Sequence, residues 1–400
     1  MNIFNKIYYR LYQNIFYVAA NFINFREPEI IKGDNSILEV ISLMKKHNYK
    51  SIFVVTSHSI DKYKLLDSLY SSLEENNIPY KKYLDVEANP SIKDVESGLD
   101  IYKTMDNAMI VAVGGGSVLD CAKIIAARYS NPNKSVSKMK GLFKINKKLP
   151  LLVAVPTTAG TGSETTVAAV IVDKQKEEKY AINDPKLIPY YAILDPHFLL
   201  TLPGNITSTT GMDALTHAIE AYLGNSNTKK TKKYALSSIK LIFNNLEKSY
   251  NDPQNLEYRE NMQLAAYEAG VAFTRAYVGY VHALAHSLGG KYNVAHGYAN
   301  ALLLPLVLKA FGNKAHKKLG EIYDYVFGKN ELTKEQKANA IINKIENMNS
   351  NMNIISNFKE VIKDEDLDYL VNHAYKEAHP LYPVIKFLNK NELKEIYQKL

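Results

Sequence analysis

The stretch Ala108–Lys123, AMIVAVGGGSVLDCAK, constrains this chain more than any other segment. Small and apolar residues read as a buried strand, Gly114-Gly115-Gly116-Ser117 turns the chain, and Val118–Tyr129 follows as a helix. A strand running straight into a glycine turn and a helix belongs to a parallel sheet with crossover helices. Glycines let backbone approach a ligand closely, and their N–H groups with the helix N-terminus behind them form an anion site that suits a pyrophosphate. The spacing is not GxGxxG, so the common dinucleotide fingerprint is absent. A second strand-to-turn segment, LLVAVPTTAGTGSETT at Leu151–Thr166, crowds hydroxyls and glycines at its carboxyl end. Two such loops from one sheet point to a ligand at the edge where open α/β sheets bind them.

The surrounding pattern agrees. Ser51–Thr56 and Tyr80–Asp85 read as strands, and Asp61–Asn76 and Ser91–Met105 as helices. Ser130–Lys148 is polar and Lys-rich and reads as a surface insertion. From Pro203 onward strand signals fade. Helices are expected over Gly211–Leu223, Thr231–Ser249, Leu256–Gly289 (broken at Gly270 and Gly279), Ala301–Phe311, Lys334–Met348 and Glu392–Leu400. A chain of 400 residues exceeds the usual limit of one core. The expectation is therefore a cofactor-binding α/β domain over residues 1–200, with residues 1–30 as an N-terminal extension, and an all-α domain over 201–400. The apolar stretch Ile15–Phe25 is short and interrupted by Asn21 and Asn24, too short to span a bilayer. It reads as an amphipathic or extended lead-in packed on the body or on a partner, with contact at a membrane surface as the lesser alternative.

Composition removes several function classes. The single cysteine, Cys121, rules out an internal disulfide framework and a Cys-rich zinc site, and it reads as a packing residue. The net charge of +8 comes from dispersed lysines with no arginine-rich arm, so no nucleic-acid partner is expected. No integral membrane segment is expected either, and the cytoplasm is the expected location.

Four of the ten histidines fall between His217 and His296. Asp213 and His217 are four apart on one expected helix, about 40° apart in projection and on one face. His282 and His286 repeat that spacing in VHALAHSLGG, among apolar neighbours where unpaired imidazoles are costly. His296 follows after Gly289-Gly290. A His/Asp set without thiolates suits Fe²⁺, Zn²⁺ or Mn²⁺. Spacing alone leaves His282 and His286 as alternative ligands.

Together, GGGSVLDCAK, PTTAGTGSE, GMDALTHAIEAY and HALAHSLGGKYNVAHGYA resemble the iron-containing (group III) alcohol dehydrogenases, from about Ile31 to the C-terminus. The resemblance implies a Rossmann-like domain followed by a helical one, the architecture shared with dehydroquinate synthase. It implies a divalent metal, Fe²⁺ first and Zn²⁺ second, on Asp213, His217, His282 and His296, with His286 beside it as the catalytic proton relay. It implies NAD(H) or NADP(H) held by Gly114, Gly115, Gly116, Ser117, Thr157, Thr158, Thr161 and Lys179, with Asp120 close by. Ala168, Val170, Phe273 and His379 would line the substrate pocket. The implied reaction is hydride transfer between nicotinamide C4 and the oxygen-bearing carbon of a small alcohol or aldehyde, in a homodimer. Many NAD-preferring relatives carry an aspartate where this chain has Ser57, so acceptance of NADPH is expected. Alternatives are a glycerol dehydrogenase-like enzyme, a hydroxyacid–oxoacid transhydrogenase, and an inactive binding protein on the same fold.

Overall fold

Strands that are apolar at every position need cover on both faces and favour parallel pairing. In the computed structural model, which describes residues 2–176, 178–356 and 358–400, such runs form the centre of a six-stranded parallel sheet ordered β1-β9-β6-β4-β2-β3. Its members are β1 (Glu29–Lys32), β2 (Ser51–Val55), β3 (Tyr80–Tyr83), β4 (Ala108–Gly114), β6 (Leu152–Pro156) and β9 (Tyr191–Leu194). A smaller sheet, ordered β5-β8-β7, joins β5 (Gly141–Leu142) to the antiparallel pair β7 (Ala168–Asp173) and β8 (Glu178–Asn183). The helices preceding and linking these strands are α1 (Ile3–Ala20), α2 (Glu39–Lys46), α3 (His58–Lys62), α4 (Asp67–Glu75), α5 (Ile92–Lys103) and α6 (Gly116–Ser130). Beyond them the chain is helical: α7 (Gly204–Leu223), α8 (Lys229–Asn251), α9 (Leu256–Ala276), α10 (Tyr280–Tyr292), α11 (His296–Phe311), α12 (Asn313–Phe327), α13 (Lys334–Asn351), α14 (Phe358–Val361), α15 (Leu367–Ala378) and α16 (Lys390–Tyr397).

Two compact units result: Asn24–Thr201, and Met1–Ile23 together with Leu202–Leu400. The first residues therefore group with the helices, not with the sheet to which the sequence reading joined them. The reason is local chemistry. Arg10 Nη1 donates to the Val384 carbonyl at 2.7 Å, and Gln13 Nε2 donates to the carbonyls of Pro380 and Tyr382 at 2.9 and 2.7 Å. Tyr9 stacks on His379 with ring centroids 5.0 Å apart, and Arg275 donates to Asn21 Oδ1 at 2.8 Å. Gly270 does not break α9, which continues to Ala276. The break falls at Tyr277, whose φ is 65°. The expected helix over Asp61–Asn76 divides into α3 and α4 around Lys64, at φ 56°. The Lys-rich segment Ser130–Lys148 anchors itself through buried Val136, Met139 and Ile145. Cys121 is buried as a packing residue. Among the described residues no helix is long and apolar enough to cross a membrane.

Within the sheet unit, the carboxyl ends of β2, β4 and β6 lie side by side, with Gly114 opposite Pro156. Thr56 Oγ1 donates to the Val113 carbonyl at 2.7 Å, and the Thr157 N–H donates to the Gly114 carbonyl at 3.0 Å. Ser57, Gly114–Ser117 and Thr157–Thr161 therefore share one edge. A Cβ on Gly116 would stand 3.0 Å from Thr161 Cγ2, so the bare Cα lets the two loops meet.

A buried polar cluster holds these loops from behind. Asp120 accepts from Ser163 Oγ at 2.7 Å and from the Val170 N–H at 2.9 Å. Lys123 is wholly buried and donates to the carbonyls of Thr166 and Ala168 and to Thr166 Oγ1. Burial pushes the Glu164 carboxyl up to about 7, against the pull of its own N–H and of Lys123. A carboxyl raised on folding contributes stability that is full below its ordinary pKa and is lost as pH rises through about 7. Glu164→Gln removes that loss, which amounts to at most about 3 kcal/mol. Urea unfolding at pH 5 and pH 8 checks this: the variant gains on the parent at the higher pH. An identical difference at both values contradicts it.

Candidate metal centre

Helix α7 carries Asp213, His217 and Glu220 at i, i+4 and i+7, which places all three on one face. Helix α10 carries His282 and His286, and α11 opens with His296 and carries Asn300 one turn later. The three helices bring Asp213, His217, His282 and His296 together, each offering one ligand atom, with all of these atoms within 4.8 Å of one another. Asp213 Oδ1 lies 3.4 Å from His296 Nε2, 3.8 Å from His282 Nε2 and 3.9 Å from His217 Nδ1.

The tautomer of His282 is set by its other nitrogen. Nδ1 lies 2.7 Å from Glu220 Oε2, so it carries the proton and leaves the Nε2 lone pair facing Asp213. Glu220 also accepts from the N–H groups of Gly279 at 2.7 Å and Val281 at 2.8 Å. Burial pushes Glu220 up to about 7, while these donors pull it down. Three donors aimed at two oxygens fit the ionised form. Burial and three neighbouring imidazoles hold His282 well below the usual histidine range, so it is neutral and its lone pair is available.

The donor set tests well against a divalent cation. Asn300, fully buried, points Nδ2 into the convergence, 2.7 Å from Asp213 Oδ1, 3.0 Å from His296 Nε2 and 3.4 Å from His282 Nε2. Its Oδ1 is buried without a hydrogen-bond partner. Acceptors from three helices thus converge on one amide N–H₂ donor, as they would on an ion. A carboxylate with three imidazoles and no sulfur suits a first-row divalent metal. The His217 ring is fixed between Phe273, stacked at 4.0 Å, and His282 at 4.4 Å.

Access is one-sided. The Asp213, His217 and His282 side chains are at most 6% exposed, against 39% for His296 and 43% for His286. His286 stacks on His296 with centroids 5.1 Å apart, and its Nδ1 lies 2.6 Å from Glu377 Oε1. Tyr382 donates to the same Glu377 oxygen at 2.7 Å. Neither Glu220, Asn300 nor Glu377 was singled out from sequence. Glu220 and Asn300 had a readable signal, each one turn from a candidate ligand on the same face. Glu377 had none, being 91 positions from its partner.

The remaining expected site residues fall as follows. His379, expected to line a substrate pocket, is instead part of the core. It is buried, with Nε2 at 2.8 Å from the Tyr280 hydroxyl and Nδ1 at 2.9 Å from the Tyr375 carbonyl, and aromatic rings pack on it. Both ring nitrogens are used there. Phe273 packs on His217 as described. In the sheet unit, Ala168 and Val170 are half-buried on one face of β7, and Lys179 Nζ on β8 lies 2.8 Å from Asn89 Oδ1. Ser57 stands at the N-cap position of α3 without a side-chain capping bond, beside Asp85, whose carboxylate lies 2.7 Å from His58 Nε2. Ser117 Oγ donates to the Ala88 carbonyl.

One glycine lets the centre form. A Cβ on Gly297 would lie 2.3 Å from the Thr209 carbonyl oxygen, so only glycine lets the start of α11 touch the α7 backbone and bring His296 to Asp213. Gly297→Ala should cost about 1–3 kcal/mol through overpacking, despite alanine's better helix propensity. It should also weaken Zn²⁺ binding by the metal-stripped protein at least tenfold. Urea unfolding and a cation titration check both, and parental values in the two measurements contradict the close approach.

The comparisons with known proteins follow the same two units. Residues 27–196 match the model of the iron-containing alcohol dehydrogenases, and residues 207–400 match that of the Fe-containing alcohol dehydrogenase family C-terminal domain. Alcohol dehydrogenase 4 of Saccharomyces cerevisiae is 37% identical over 370 residues, covering 92% of this chain and 95% of the yeast protein. The crystal structure of a 1,3-propanediol oxidoreductase superposes with a TM-score of 0.89 at 32% identity, covering 94% of this chain and 99% of that one. An alcohol dehydrogenase from Oenococcus oeni superposes with a TM-score of 0.88 at 30% identity, with the same coverage. With both halves matched in order and the four-residue ligand cluster in place, the chain belongs to the iron-containing alcohol dehydrogenase family.

Proposed function

We propose that this protein is a nicotinamide-dependent oxidoreductase that interconverts a small alcohol and its aldehyde or ketone at the Asp213–His217–His282–His296 centre. The observation that carries the reading is the convergence of those four ligand atoms within 4.8 Å, with the His282 tautomer set by Glu220. The relatives named for alcohol and 1,3-propanediol oxidoreduction support a small hydroxyl-bearing substrate. When bound, the cation supplies a Lewis acid to the substrate oxygen, and the nicotinamide supplies the hydride chemistry.

The chain's own groups do the rest. Asp213, His217, His282 and His296 hold the cation, and Glu220 keeps His282 presenting Nε2. His286, the most exposed imidazole of the group, moves a proton at Nε2 between substrate and solvent, because Glu377 fixes its Nδ1 as the donor side. Phe273 keeps His217 in plane and forms an apolar wall. In the other unit, Asn24–Thr201, Gly114–Ser117 at the start of α6 hold the pyrophosphate through backbone N–H groups. Thr157, Thr158, Thr161 and Lys179 contact the cofactor, and Asp120 braces their loops. Ser57 puts no carboxylate against a 2′-phosphate, and the Asp85 carboxylate beside it lies 2.7 Å from His58 Nε2. NADPH is therefore accepted alongside NADH. The proposed metal is Fe²⁺, with Zn²⁺ as the alternative, and the proposed assembly is a homodimer.

Metal analysis of the purified protein, followed by an aldehyde panel with both nicotinamides, tests the reading. One divalent cation per chain and aldehyde-dependent oxidation of either cofactor are expected. A metal-free protein with full activity overturns it, and at least tenfold higher kcat/KM with NADH than with NADPH overturns the Ser57 argument. His286→Ala should retain metal and lose about 10²-fold or more in kcat. Glu220→Gln should weaken metal affinity about 10–100-fold.

A further inference from the structure

Helix α1 precedes the part of the chain matched by the family models, which begins at residue 27. One side of it is fastened to the helical unit by Arg10, Gln13 and Tyr9, so the direction of its other side is fixed. That other side carries Phe4, Tyr8, Leu11, Ile15 and Val18, and Phe22 follows in the turn just past the helix end, each between 55% and 87% exposed. Their spacing is four, three, four, three and four residues. This is the 3.5-residue repeat by which one helix packs along another, and a lone surface helix has no use for it.

The face is too large for a solvated surface. With Ile3 and Ile7 at its border, it exposes on the order of 1,000 Å² of mostly apolar area, beyond the few hundred that monomers usually leave open. A stable protein contact buries roughly 800 Å² per partner. The flanking positions Asn5, Tyr12, Ala19, Ile7, Asn14 and Asn21 carry no charge, so two copies of the face meet without repulsion even though the chain carries +8. A lipid surface fits less well. Arg10, the nearest guanidinium, is tied to backbone carbonyls on the docked side, and among the described residues of α1 only Lys6 is left to meet anionic headgroups.

We infer that α1 is a self-association element: the Phe4–Phe22 stripe pairs with the same stripe of a second copy of this chain as a two-helix seam. The inference is independent of the proposed chemistry. It adds an interface outside the sheet and outside the metal centre.

Light scattering of the full-length protein across a concentration series tests it, beside the double variant Leu11→Lys/Ile15→Lys. Both substitutions lie on the exposed face and leave the docked side intact, so the fold is retained. The parent mass should be an even multiple of the chain, and the variant mass should be half of it. Equal masses for parent and variant overturn the seam. In parallel, Leu11→Cys should form disulfide-linked dimers under mild diamide oxidation, the native Cys121 being buried. Lys6→Cys, off the stripe, should not. Equal cross-linking of the two overturns the seam as well. So does a monomeric parent that floats with phosphatidylcholine–phosphatidylglycerol vesicles, which assigns the face to a membrane.

Discussion

The contact between Glu220 and His282 is the constraint on which the site depends. A buried imidazole can present either nitrogen, and only one choice aims a lone pair at Asp213. Glu220 makes that choice through a 2.7 Å hydrogen bond to Nδ1. Glu220 is itself fixed by the N–H groups of Gly279 and Val281, which open α10. The turn between α9 and α10 thus orients the ligand as well as ending a helix. Tyr277 at φ 65° reverses the chain there, and Gly279 has no Cβ to strike the Glu220 carboxylate.

Burying one carboxylate and two imidazoles beside a half-buried third is expensive unless their lone pairs are satisfied. The arrangement answers this with neighbours chosen at one-turn spacing. Asn300 lies one turn beyond His296, Glu220 one turn beyond His217, and Gly297 lets α11 come close enough to α7 for the set to close. His286, four residues from His282, meets a different carboxylate, Glu377, on the exposed side. The same helix therefore carries one imidazole locked in the interior and one open to solvent. Under the proposed function, that contrast separates holding a cation from moving a proton.

Much of this was legible before any coordinates. The continuously apolar runs at Ser51, Ala108 and Leu151 announced a parallel sheet, because only strands covered on both faces read that way. The loops after β4 and β6 were legible because glycine and hydroxyl side chains cluster at the carboxyl ends of those strands. The i, i+4 pairs in apolar helices marked Asp213, His217, His282 and His286 as candidates, while the choice of His282 over His286 and the addition of His296 came from the resemblance. What was missed depended on distant contacts. Helix α1 looked like a lead-in because its two apolar sides blur its periodicity, and tertiary contacts with residues 380–384 decide where it belongs. Gly270 resembled a helix break, but buried packing along α9 overrides its weak propensity. His379 looked like a pocket residue by loose resemblance. The Tyr375 carbonyl one turn earlier and the distant Tyr280 hydroxyl claim both its nitrogens, and the second of these is invisible in the sequence.

The central claim is that one carboxylate and three imidazoles share a single cation. X-ray absorption on the protein loaded with one equivalent of Zn²⁺ tests it most directly. The account predicts a shell of nitrogen and oxygen at about 2.0–2.2 Å, the outer-shell scattering of three histidine rings, and no sulfur. A shell of oxygen alone, without imidazole scattering, would contradict it.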